Sequence, residues 1–125
     1  MSKKTGYKAV RICSVPLYGG EVHLILSRKQ MQAAADAYGA KINAEGFAGQ
    51  FARLERGGGR ERRYLIGVYE GGLSTLAHEL GHAALDILQV AGIDAHSGNG
   101  EPFCYLLGHL FDECAPAVAK KVMRS

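Results

Sequence analysis

No stretch of this chain approaches the ~18 consecutive apolar residues that a membrane-spanning helix requires, so no membrane partner is expected. Charge of one sign is also lacking. Fifteen Lys and Arg against 12 Asp and Glu leave a net +3, too mild an excess to point to nucleic acid as a partner. Cysteine is scarce: Cys13, Cys104 and Cys114 are odd in number and form no C-x-x-C pair, which reads as free buried thiols rather than a disulfide framework. The first residues, Met1-Ser2-Lys3-Lys4-Thr5-Gly6, are basic but have no apolar h-region behind them, and the expectation is a cytoplasmic protein. There is no internal repeat, low-complexity tract or linker. With 47% apolar and 22% charged residues over 125 positions, the composition excludes disorder and collagen-like or coiled-coil chains, and predicts a single domain over residues 1–125.

Residues 7–15 and 21–27 are short, β-branched and roughly alternating, with Pro16, Gly19 and Gly20 between them, which predicts a β-hairpin. Ser27 and Gln30 form a capping-box pattern for a helix over residues 28–38, with Met31, Ala34, Ala35 and Tyr38 as its buried stripe and Gly39 after it. A second β pair is expected over residues 50–55 and 62–70, joined at the glycine-rich tip Gly57-Gly58-Gly59. Arg53, Arg56, Arg60, Arg62 and Arg63 gather near that tip, where turn-flanking charge serves solubility and edge protection. From residue 74 to about 91 apolar residues cover much of a helix surface, which predicts a largely buried helix. A polar loop follows, then a third helix from near Pro102, which Pro116 should end or kink, and a short helical tail over 117–125.

The second helix carries His78-Glu79-Leu80-Gly81-His82, an H-E-x-x-H pattern. Histidines at i and i+4 project from one helix face, so both can reach one Zn²⁺ at ~2.0–2.1 Å. Glu79 lies roughly 100° round the helix, placed to touch water at the metal rather than the metal itself. Leu76, Ala77, Leu80, Ala83 and Ala84 bracket these polar groups, and burying them without a partner would cost several kcal/mol that a metal offsets. Metzincin spacing is excluded, because Leu85 and Leu88 stand where that motif needs Gly and His. For a third ligand the candidates are Asp94, His96, Glu101 and His109, with Glu101 at the head of the third helix preferred and His96 the alternative. One turn on from Glu101, Tyr105 is either a core aromatic or a donor to a developing oxyanion. His109 is a weaker candidate for the same task. Asp86, one turn after His82, is either a support for the site or solvated, and His23 is expected to be unrelated to it.

The segments Leu76-Ala77-His78-Glu79-Leu80-Gly81-His82-Ala83 and Asn99-Gly100-Glu101-Pro102-Phe103-Cys104-Tyr105-Leu106-Leu107-Gly108 resemble the zincin metallopeptidases of the gluzincin kind. More narrowly, they resemble the small zincin-like peptidases encoded by tailed bacteriophages and prophages. The resemblance spans residues 74–112. It implies an α+β fold with a small antiparallel or mixed β-sheet packed against the H-E-x-x-H helix and a following ligand helix. It also implies His78, His82 and Glu101 as zinc ligands, Glu79 as general base, and residues 64–69 as an edge strand that pairs with extended substrate. Thermolysin-type gluzincins carry Asp four residues after the ligand glutamate, where this chain has Tyr105. The segment from His96 to Cys104 is also similar to the third-ligand segment of SprT-like proteases, which use His there and cleave proteins crosslinked to DNA.

The expected function is zinc-dependent hydrolysis of a peptide or protein substrate, in a bacterial host cytoplasm or on a virion if the chain is phage-encoded. Phage structural or host proteins are the partners this implies. The alternatives are a catalytically retired zincin-fold assembly or virion protein, and a SprT-like protease using His96.

Overall fold

Tyr64, Leu65, Ile66 and Val68 are all buried, and the strand they belong to has a neighbour on each side. The computed structural model describes residues 6–124; residues 1–5 of the basic start, and Ser125 of the expected tail, lie outside the described residues. Four strands form one mixed sheet: β1 (Arg11–Ser14), β2 (Glu21–Ile25), β3 (Gly49–Arg56) and β4 (Glu61–Val68), in the order β1-β2-β4-β3. β1 and β2 form the expected antiparallel hairpin, with Arg11 opposite Leu24 and Ser14 opposite Glu21. β3 and β4 form the second, from Gly49 opposite Val68 to Arg56 opposite Glu61. β2 and β4 then pair in parallel, Val22 opposite Tyr64, a register that the long connection through α1 (Arg28–Ala37) makes possible.

The sheet is covered on both faces, which explains why β4 reads as a continuous apolar run. Toward α1 point Ile25, Leu54 and Leu65, which pack with Met31 and Ala34. Toward α2 (Gly72–Val90) and α3 (Glu101–Arg124) point Val22, Leu24, Tyr64, Ile66 and Val68, which meet Leu76, Leu80, Ile87, Leu88, Leu106 and Leu110. The architecture is α+β: three helices around a small mixed sheet.

Several expectations are corrected. β4 is interior, because β2 and β3 flank it, so the free edges belong to β1 and β3 and the strand of residues 64–69 is not an edge. β4 also stops at Val68, since the amides of Tyr69 and Glu70 both donate to the carbonyl of Ala48, at 2.8 and 3.0 Å. Ser27 does cap α1, accepting from the Gln30 amide at 3.0 Å, but the box is not reciprocal: Gln30 Oε1 accepts from the Lys8 amide. The tip between β3 and β4 is the expected glycine turn, one tight turn over Gly57–Gly59, all at positive φ, with Gly57 and Gly58 exposed. α3 starts at Glu101 and continues through Pro116 to Arg124. Pro116 lacks an amide to reach the carbonyl of Asp112, and both residues are exposed, so water can serve that carbonyl.

Candidate metal centre

α2 begins at Gly72, and the buried positions Leu76, Glu79, Leu80, Ala83, Ala84, Ile87 and Leu88 form a stripe along one side of it. The opposite side is open. His78 and His82 are exposed, as are Leu85 and Gln89, so the expectation of a largely buried helix is corrected. Burial is distributed the other way from the expectation: the imidazoles meet water, while most of Glu79 between them is covered and its carboxyl reaches the cleft. Glu79 is only 8% exposed.

Helical spacing brings the two rings together, with Nε2 of His78 and Nε2 of His82 3.2 Å apart and the ring planes nearly perpendicular at 81°. Two nitrogens that each sit ~2.0–2.1 Å from one tetrahedral ion stand about 3.3 Å from each other. The pair therefore fits two positions of one tetrahedral Zn²⁺, and the neutral imidazole is the donor that such an ion favours. A third donor is not assembled with them: among the described residues no group of three or more His, Cys, Asp or Glu is close enough to hold one ion.

Glu79 faces a cleft of about 380 Å³ lined by Ala48, Gly49, Ser74, Thr75, His78 and Glu79. One wall is the start of the edge strand β3 and the other is the first half of α2, so the cleft opens toward β3 rather than between α2 and α3. Gly49 sets how close the walls come. A Cβ there would lie 2.5 Å from Thr75 Cγ2, 2.8 Å from the Gly67 carbonyl and 3.1 Å from Glu79 Cγ. Burial pushes the Glu79 carboxyl above its ordinary range, and the neighbouring His78 and His82 pull it back down.

One turn beyond His82, Asp86 is partly buried and paired: its Oδ2 lies 2.9 Å from Arg53 Nε in an ion pair that ties β3 to α2 below the cleft, without the alignment of a hydrogen bond. Glu101 is the exposed first residue of α3. His96 is exposed in the preceding loop, where its amide donates to Asp94 Oδ1 at 2.9 Å. Tyr105 is 75% exposed, which removes the reading of it as a core aromatic. His109 is exposed one turn before Glu113, the ion-pair partner of Arg11 on β1. His23 is buried on the far face of the sheet. Around the glycine tip, Arg53 and Arg62 pair with Glu55, Arg63 pairs with Glu61, and Arg56 stacks on Tyr38 and donates to the Ala37 carbonyl.

Sequence reasoning missed Ala48, Gly49, Ser74 and Thr75 as lining residues and Arg53 as the partner of Asp86. A glycine just ahead of a strand reads as a boundary. Only the helix lying across it shows that its missing side chain makes room for Glu79. Compared with known proteins, the chain matches no protein-family model, no curated protein and no solved structure.

Proposed function

We propose that this chain is a zinc-dependent peptidase of the small zincin-like kind, with Glu79 as its general base. The observation that carries this reading is the 3.2 Å separation of the two Nε2 atoms beside a buried carboxylate that faces a cleft. His78 and His82 would hold the ion, and Glu101 is the proposed third ligand, with His96 the competing donor. Bound there, Zn²⁺ would acidify water and polarise a peptide carbonyl. The chain's own residues do the rest. Glu79 takes a proton from the attacking water and passes it to the leaving amine nitrogen. The exposed edge of β3, at the mouth of the same cleft, offers unpaired backbone groups to an extended peptide. Tyr105 and His109, both on exposed turns of α3, are proposed to assist the oxyanion.

The test is metal content by elemental analysis after zinc reconstitution, together with cleavage of a mixed peptide library. We expect about one zinc per chain, as a single tetrahedral site requires, lost in His78→Ala and in Glu101→Ala and kept in His96→Ala and Glu79→Gln. Cleavage should vanish in Glu79→Gln. No zinc after reconstitution overturns the metal site; zinc without cleavage of any peptide overturns the enzyme in favour of a retired scaffold. Loss of zinc in His96→Ala but not in Glu101→Ala reassigns the third ligand.

A further inference from the structure

The face of β1 that looks toward α3 is joined to it at two successive levels. Arg11 pairs with Glu113 through a charged hydrogen bond, and two residues along the strand, Cys13 lies against Cys114, the next residue of the helix. Residues i and i+2 of a strand share a face, so the ion pair fixes the approach that brings the sulfurs together. Both cysteines belong to the core between the sheet and the two long helices, Cys13 at 8% exposure and Cys114 fully buried. Cys104, by contrast, is exposed on the first turns of α3.

We infer that Cys13 and Cys114 are a built-in disulfide site, which a disulfide oxidant such as glutathione disulfide closes into a covalent clasp between β1 and α3. The neighbouring Cys114 thiol holds Cys13 below its ordinary range, while Cys13 and burial push Cys114 up. Cys13 is thus the attacking sulfur. It also stands on an edge strand of only four residues with one neighbour, the element of the sheet with least holding it closed. Its thiolate attacks one sulfur of the oxidant and expels one glutathione thiolate, leaving a mixed disulfide. The sulfur of Cys114 then displaces the second glutathione. The two protons lost by the cysteines end on the two released glutathione thiols, so the protein loses two electrons and the oxidant gains them. The bond closes a loop of about 100 residues, the length at which a cross-link restricts the unfolded chain strongly.

The experiment uses the full chain with Cys104→Ser, which leaves only these two thiols, incubated with excess glutathione disulfide. We expect an intact mass lower by about 2 Da, the loss of two hydrogens. A cross-linked peptide should map to Cys13 and Cys114, and the thermal midpoint should rise by roughly 10–20 °C over the reduced form. Stable glutathione adducts without a cross-link overturn the inference. So do thiols that stay free under conditions in which Cys104 of the wild-type chain has reacted, and a cross-linked form that melts no higher than the reduced one.

Discussion

The two faces of the sheet each carry histidine, and they use it in opposite ways. On the α1 face, His23 is 1% exposed and every polar atom of its ring is satisfied: Nε2–H donates to Glu21 at 3.0 Å, which leaves Nδ1 to accept from the Tyr7 hydroxyl at 3.1 Å. On the α2 face, His78 and His82 are exposed and meet chiefly each other. Burial separates the satisfied histidine from the open pair, in the direction contrary to the expectation that a buried pair would demand a metal. Spare donor capacity is what the proposed site offers, and a closed hydrogen-bond set is what the scaffold histidine has.

The largest loss is expected from Glu79→Gln. The side chain keeps its shape and its place against Gly49, but it can no longer accept a proton. We expect peptide cleavage to fall by a factor on the order of 10²–10⁴, the range for losing a positioned general base, while zinc content stays unchanged. Full activity in that variant, measured as kcat/KM on a cleaved peptide, would remove Glu79 from the chemistry and leave the α2 face as inert as the α1 face.

Next in size is Gly49→Ala. The added methyl meets Thr75 Cγ2, the Gly67 carbonyl and Glu79 Cγ at 2.5, 2.8 and 3.1 Å, and one of these is backbone that cannot turn aside. A loss of about 1–3 kcal/mol in urea unfolding is expected, as for other overpacked sites. Thr75→Ser in the same chain removes the nearest atom and should restore part of it. A neutral Gly49→Ala would mean that β3 and α2 can part freely, and that the cleft is not a fixed feature of the α2 face.

How much of this was legible beforehand follows from the range over which each signal acts. Ser27 as a cap, the glycine tip and the two hairpins depend on neighbours within a few residues, and the sequence reading of them holds. The i, i+4 spacing of His78 and His82 is local in the same sense. What escaped is set by partners far along the chain. The parallel pairing of β2 with β4 places β4 inside the sheet and β3 at its edge, and no period within residues 64–69 can announce that. The exposure of the histidine face was hidden because apolar Ala77 flanks it and reads with Leu76 and Leu80 as bracketing core, although it is exposed.

The α1 face can be probed through its histidine by pH. Burial holds the His23 ring below its ordinary value of 6.5, with Arg63 acting the same way and Glu21 opposing. The folded chain therefore keeps this ring neutral where the unfolded chain has begun to bind a proton. Stability that is full above about pH 6.5 is lost as pH falls below it, by at most ~1.4 kcal/mol per pH unit for one proton. Urea midpoints of wild type and His23→Gln between pH 5 and 7.5 should converge as the medium becomes acidic. Parallel curves would show that His23 carries no linked proton, and would weaken the contrast with the exposed pair.

The smallest expected effect concerns the strut between the faces' shared edge and the histidine helix. Arg53 and Asp86 are partly exposed, at 38% and 22% of their side-chain surface, so water screens the pair. Arg53 also retains Glu55 at 2.8 Å when Asp86 is neutralised. Asp86→Asn should accordingly cost ~0.2–1 kcal/mol in unfolding free energy. The amide keeps the shape of the carboxyl, so the geometry of the cleft should survive. If Glu79 depends on β3 for its position, the same substitution will lower kcat/KM more than so small a loss of stability explains. If α2 alone positions Glu79, cleavage will be unchanged, and the strut serves the fold only.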